Sequence, residues 1–187
     1  MIVVAGPSGS GKSALFPVMK LGVAGFNVDD RAAAVYGAYA GIPPEVRKQA
    51  QAECEAFVAD HIARRVSFAV ETTLRSQAAL LQADAARRAG FRTILIYVCA
   101  GEVEENLQRV ARRGLMGGHA APEAEIRDIF EKSLGHLVSA RTLFDEADLF
   151  DTSVRWAAPV RVVALRSGEL TLTPPVPAWV PGTWSSS

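Results

Sequence analysis

Apolar positions along this chain fall into two periods, and the alternation between them predicts the fold class. Short continuous runs rich in β-branched residues, Met1-Ile2-Val3-Val4-Ala5, Val66–Val70 and Phe91–Cys99, read as strands buried on both faces. Gly25–Asp30 is a shorter apolar strand that runs into two aspartates, and Ala147–Ser153 a last short parallel one. Between them lie stripes spaced three and four apart. Val46, Ala50, Cys54, Phe57, Val58 and Ile62 mark a helix over Pro43–Arg65, and Ile126, Ile129, Phe130, Leu134 and Leu137 mark one that begins at Pro122. Further helices are predicted over Lys12–Leu21, with Pro17 as an internal conflict, over Ser76–Ala89 and over Glu102–Arg113. Strands that alternate with helices of this length predict an α/β fold with a central, mostly parallel sheet flanked by helices. Pro159–Arg166 and Glu169–Thr173, joined at Ser167-Gly168, add a small C-terminal β-hairpin. The expected organisation is one domain over residues 1–173, then a proline- and serine-rich tail over 174–187 that is flexible unless Trp179 and Trp184 tack it down.

The connection after the first strand carries the chemistry. Gly6-Pro7-Ser8-Gly9-Ser10-Gly11-Lys12-Ser13 is a Walker A phosphate loop set between a strand and a helix, the context that motif requires. Its glycines let successive backbone N–H groups converge on a polyphosphate. Gly6, Ser8, Gly9, Ser10, Gly11, Lys12 and Ser13 are therefore the expected nucleotide-binding residues. Lys12 reaches the β- and γ-phosphates, and Ser13 offers its hydroxyl to Mg²⁺. ATP and Mg²⁺ are the expected cofactors, and the loop predicts a P-loop kinase fold.

Ligands of open α/β sheets bind beyond the carboxyl ends of the strands. Asp29 and Asp30 fall there after the second strand, and we expect Asp30 to cap the following helix while Asp29 does chemistry. Glu71-Thr72-Thr73-Leu74-Arg75 falls there after the third strand, with more polar groups than a helix cap uses. Arg109, Arg112 and Arg113 share a helix face just before the glycine-rich break Gly114–His119, an arrangement that suits a lid whose arginines clamp phosphate. His61 and His136 read as helix histidines without a special role.

Composition narrows the partners. Lysine plus arginine and aspartate plus glutamate each number 20, so the net charge is zero and no extended backbone track for nucleic acid is expected. No apolar run reaches membrane-spanning length, and the first residues form a core strand where a signal peptide would lie, so a cytoplasmic protein is expected. Cys54 and Cys99 lie far apart in apolar segments and read as buried free thiols.

Taken together, the phosphate loop, Asn27-Val28-Asp29, Glu71-Thr72-Thr73-Leu74-Arg75, Arg109-Val110 with Arg113, Gly117-Gly118-His119 and Phe150-Asp151-Thr152-Ser153 resemble the zeta toxin family over residues 1–165. The resemblance implies phosphoryl transfer from ATP to a sugar hydroxyl, in the toxin branch the 3′-hydroxyl of UDP-N-acetylglucosamine. By position it makes Asp29 the catalytic base, with Lys12 and Arg113 as its catalytic companions. Arg109 and Arg113 become nucleotide-binding residues, and Glu71, Thr73, Arg75 and His119 join Asp29 in holding the acceptor. It also implies an antitoxin protein as partner. The chain departs from the family pattern at Ile129, where relatives often carry arginine, and at His119–Pro122, near which the toxins carry a second lid arginine. Two other readings fit the same residues: a kinase of another small hydroxyl compound, such as an antibiotic phosphotransferase, and an ATP-dependent binding module without turnover.

Overall fold

The computed structural model describes residues 1–118 and 121–185. Seven strands form one sheet in the order β2-β3-β1-β4-β5-β6-β7. β1 (Ile2–Ala5), β2 (Ala24–Asn27), β3 (Phe68–Thr72), β4 (Ile94–Cys99) and β5 (Glu146–Asp151) are parallel to one another. β6 (Val160–Arg166) and β7 (Glu169–Leu172) complete the sheet as an antiparallel hairpin. Its two-residue turn has positive φ at both Ser167 and Gly168, the twist that a tight hairpin needs.

Period-two packing puts alternate β1 residues on opposite faces. Met1, Val3 and Ala5 join Leu95, Tyr97 and Cys99 of β4 in the main core. That core is closed by α3 (Pro44–Arg64), α4 (Ala78–Arg88) and α6 (Glu123–Ala140), through Cys54, Val58, Ala83 and Leu137 among others. Val4 instead packs with Val18, Ala69 and the rings and chains of Phe16, Leu21 and Ile96 on the other face. Cys54 and Cys99 are free and buried, as their apolar neighbours predict, and burial raises their thiol pKa values to about 11 and about 12.

Two elements differ from the expected pattern. Helix α1 spans only Lys12–Leu15, not Lys12–Leu21. Pro17 is the cause: the residue before a proline is driven out of the helical region, and Phe16 sits at φ −130°. A 3₁₀ turn over Val18–Lys20 follows. The second difference is Asp29, which lies in the first turn of α2 (Val28–Tyr36) and not at a strand end. His61, expected on a helix surface, has its ring 4.0 Å from that of Phe57 and its Nδ1 2.8 Å from the Phe57 carbonyl oxygen.

The segment after β7, expected as a loose tail, is seated on the domain. Trp184 is fully buried and its Nε1 donates to the Leu137 carbonyl at 2.8 Å, and Trp179 is nearly buried. An indole removes on the order of 150–250 Å² from water, which is what holds a proline-rich segment in place. No described helix is long and apolar enough to cross a membrane.

Candidate functional site

β1 lies at the centre of the sheet, between β3 and β4, so its carboxyl end opens onto the crevice where connections diverge to either side. The loop leaving it is built for close approach. Gly6 has φ +141°, and a Cβ there would lie 2.0 Å from the Val98 carbonyl oxygen; one on Gly9 would lie 2.7 Å from that of Asn106. Two side chains orient its peptide planes. Asn106 Nδ2 donates to the Ser8 carbonyl at 2.9 Å and Thr152 Oγ1 donates to the Ser10 carbonyl at 2.8 Å. In a trans peptide the N–H points opposite to the C=O, so the Gly9 and Gly11 N–H groups turn away from these anchors. Gly9 and Gly11, with Lys12, Ser13, Arg109 and Arg113, line a cleft of about 310 Å³.

Lys12 is nearly buried, and its Nζ donates to the Pro7 carbonyl at 3.3 Å. Burial lowers its pKa, the charges of Glu71 and Asp29 oppose that shift, and Arg113 adds to it. A desolvated ammonium beside the phosphate loop suits a polyphosphate, whose negative charge would replace the missing solvation. Ser13 Oγ donates to Glu71 Oε1 at 2.6 Å. Burial pushes the Glu71 carboxyl up, and Lys12 and the Ser13 hydroxyl draw it back. A hydroxyl and a carboxylate are hard oxygen donors of the kind Mg²⁺ takes, so the residues present fit that ion.

On the other side of Lys12 lies a second cleft, of about 140 Å³, whose walls include Asp29, Arg47, Glu71, Thr73 and Arg75. Asp30 does not cap α2. Asn27, the last residue of β2, does so by accepting from the N–H groups of Asp29 at 2.9 Å and Asp30 at 3.2 Å. The Asp30 carboxylate instead accepts from the Tyr39 hydroxyl at 2.9 Å. Asp29 is thereby left with its carboxylate on the cleft wall, half exposed and 3.7 Å from Arg47 of α3. Thr73 and Arg75 flank Leu74, which is fully buried at φ +58°. This conformation costs about 1–3 kcal/mol and is held by the Thr72 hydroxyl on the Leu74 N–H and by the His136 ring on its carbonyl oxygen. His136 thus fastens the loop that carries Thr73 and Arg75. Arg75 reaches Glu125 at 3.4 Å.

A third pocket, of about 270 Å³, adjoins the loop on the far side, between α5 (Val103–Leu115) and the β5–β6 connection. Ser10, Gly11, Leu15, Arg112 and Trp156 contribute to its walls. Trp156 is 91% exposed, and the Arg112 guanidinium lies 5.8 Å from its ring centroid.

Both expected arginines line the phosphate cleft, and they are held differently. Arg113 stands beside Lys12 on the phosphate cleft. Arg109 is tied down by Glu105 at 2.7 Å and by the hydroxyl and carbonyl of Thr152 at 3.2 and 2.5 Å. His119 lies outside the described residues. Sequence reasoning gave no role to Asn106, Thr152 or Trp156. A fully buried asparagine in an otherwise amphipathic helix is a usable signal, but only once the buried face of α5 is known.

The sequence profile of the AAA domain family matches residues 1–132, from β1 through the phosphate loop and both clefts. The chain belongs to the AAA domain family. No curated protein matches it. Among solved structures, AvrRxo1-ORF1:-ORF2 with ATP superposes with a TM-score of 0.68 at 16% identity, covering 91% of this chain and 59% of that one. The chain therefore spans about three-fifths of the length of that structure. The PezAT chromosomal toxin-antitoxin system of Streptococcus pneumoniae gives a TM-score of 0.57 at 14% identity, covering 85% of this chain and 71% of that one. At such identities the likeness is one of fold: the P-loop kinase-like sheet and its flanking helices.

Proposed function

We propose that this AAA-family protein is a zeta-like phosphotransferase that moves the γ-phosphoryl of ATP onto a hydroxyl of a small molecule. A sugar nucleotide such as UDP-N-acetylglucosamine is the first acceptor to test. The observation that carries this reading is the position of Lys12 on the wall common to two clefts, one floored by the phosphate loop and one bearing Asp29. A phosphoryl group held at Lys12 faces an acceptor beside Asp29 without leaving the cationic site.

The reaction breaks the bond from the γ-phosphorus to its bridging oxygen and forms one to the acceptor oxygen, with ADP leaving. Asp29 receives the acceptor proton, and Arg47 orients that carboxylate from α3. Lys12 and Arg113 carry positive charge to the path of the transferred group. Thr73 and Arg75, fixed by the buried Leu74, orient the acceptor. Mg²⁺ bound at Ser13 and Glu71 would neutralise charge on the β- and γ-phosphates. The base would lie in the pocket of Trp156 and Arg112. The fold shared with a toxin-antitoxin system supports looking for a protein partner over these clefts.

The test is ³¹P NMR of the purified protein with Mg-ATP and UDP-N-acetylglucosamine, beside Lys12→Ala. A new phosphomonoester resonance, absent in the variant, is expected. ADP without that resonance calls for a panel of other hydroxyl acceptors, antibiotics included. Tight ATP binding with no transfer to any acceptor would overturn the enzyme reading in favour of an ATP-dependent binding module.

A further inference from the structure

The segment after β7 returns to the nucleotide side of the sheet and is held at both ends. The Thr173 N–H donates to the Val162 carbonyl at 3.0 Å, and the Trp184 indole is buried against Leu137 of α6. Between these anchors Trp179 packs 6.0 Å from the Tyr97 ring and its Nε1 donates to Asp151 Oδ1 at 2.9 Å. The second oxygen of Asp151 accepts from the Ser153 hydroxyl at 2.5 Å. Both carboxylate oxygens are thus engaged on either side of Thr152, at the point where β5 ends.

Thr152 is where the phosphate loop meets the rest of the site. Its N–H donates to the Cys99 carbonyl at 2.8 Å, its hydroxyl proton goes to the Ser10 carbonyl at 2.8 Å, and its own oxygens take the Arg109 guanidinium. Its hydrogen-bonding capacity is filled, so its backbone position fixes the Ser10–Gly11 peptide plane and with it the Gly11 N–H. The indole N–H matters to Asp151 because it is one of the two donors that hold the carboxylate. Glu104 and Glu105, in the groove that Asp151 and Trp179 line, are paired with Arg127 and with Arg109 and Arg155, so they leave Asp151 to these two donors. Without the indole N–H the Asp151 carboxylate would be held by the Ser153 hydroxyl alone and would be free to turn about that contact.

We propose that residues 174–184 act as a strap that sets the phosphate-loop geometry, with Trp179, Asp151 and Thr152 as positioning residues linking the strap to the Gly11 N–H. The proposal rests on reading that loop as a triphosphate site. The strap itself touches no nucleotide.

The experiment is calorimetric titration of Mg-ATP into the full chain and its variants, with thermal unfolding measured alongside. Thr152→Val, which keeps shape and removes the hydroxyl, should weaken binding by roughly 3- to 10-fold, the worth of one net hydrogen bond, and Thr152→Ser should restore it. Trp179→Phe, which keeps a buried ring and removes the N–H, should weaken binding by a similar factor. In the Thr152→Val background Trp179→Phe should have no further effect, because the link is already cut. If Trp179→Phe does not fold, Asp151→Ala carries the same comparison. Unchanged affinity in Trp179→Phe, or a full additional loss in the double variant, overturns the strap while leaving the triphosphate reading intact. A parent protein that binds no Mg-ATP overturns the triphosphate reading itself.

Discussion

Ser13 Oγ donates to Glu71 Oε1 at 2.6 Å, which ties the last residue of the phosphate loop to the end of β3. The carboxyl of Glu71 is raised by burial, with Lys12 and Ser13 opposing. A carboxyl whose folded pKa lies above its unfolded one is bound more tightly to its proton in the native state. Its contribution to stability is complete below the ordinary carboxylate range and falls as pH rises through the folded value. Glu71→Gln should therefore raise the neutral-pH melting temperature of the nucleotide-free protein and flatten its decline as pH rises above the ordinary carboxylate range. The same change should weaken binding of Mg-ATP while leaving metal-free ATP unaffected, since only the former uses the carboxylate. Thermal unfolding across pH and paired titrations check both halves. A variant less stable than its parent at neutral pH would mean that attraction to Lys12 outweighs the cost of burial.

Asp29 is placed by its neighbours on the wall of the second cleft. Asn27 supplies the helix cap and Arg47 stands 3.7 Å from its carboxylate. Asp29→Asn should keep ATP affinity and lose on the order of 10²–10⁴ in transfer rate, the usual worth of a general base. Single-turnover transfer measured with saturating ATP gives the rate, and titration gives the affinity. Full activity in Asp29→Asn would remove the base assignment and direct attention to Glu71.

Much of this architecture was legible from period and punctuation. The two-fold burial of Val3, Val4 and Ala5, the three-and-four stripe of α3, and the Gly-Lys-Ser step need no tertiary information to recognise. The parts that escaped are those decided by partners distant in sequence. Pro17 conflicts with a helix on any reading, yet whether the chain kinks or stops depends on where Val18 is buried. Asn27 and Asp30 are both good caps, and the choice between them is made by Tyr39, nine residues on, which takes the Asp30 carboxylate. Thr152 and Ser10 are 142 residues apart, and only the pairing of β4 with β5 brings the hydroxyl to the loop.

Asn106 offers a test of how far loop anchoring and stability can be separated. It is fully buried and donates to the Ser8 carbonyl, while its own Oδ1 has no partner among the described residues. Asn106→Leu removes one unpaired buried oxygen and creates another at Ser8, each worth about 1–3 kcal/mol, so the two changes largely cancel in the melting temperature. They do not cancel at the loop, where the Ser8–Gly9 peptide is released. Nucleotide affinity should fall by roughly tenfold with little change in thermal stability. A marked loss of stability with unchanged affinity would make Asn106 a packing residue and nothing more.

Trp156 offers a test that distinguishes binding of a base from binding of phosphates. Its side chain is 91% exposed and its φ of +62° is a conformation that glycine adopts without strain. Trp156→Gly should therefore leave the melting temperature of the nucleotide-free protein unchanged or slightly raised, because little buried area is lost and backbone strain is relieved. The loss should appear in binding. Stacking of a base on an aromatic ring contributes about 1–3 kcal/mol, so Mg-ATP affinity should fall by roughly 5- to 150-fold. Inorganic tripolyphosphate with Mg²⁺ presents the same anion to Lys12 and the loop amides but has no base, and its affinity should be the same in parent and variant. Equal losses for both ligands would mean that Trp156 acts on the loop through Arg112. Unchanged affinity for both would move the base out of this pocket altogether.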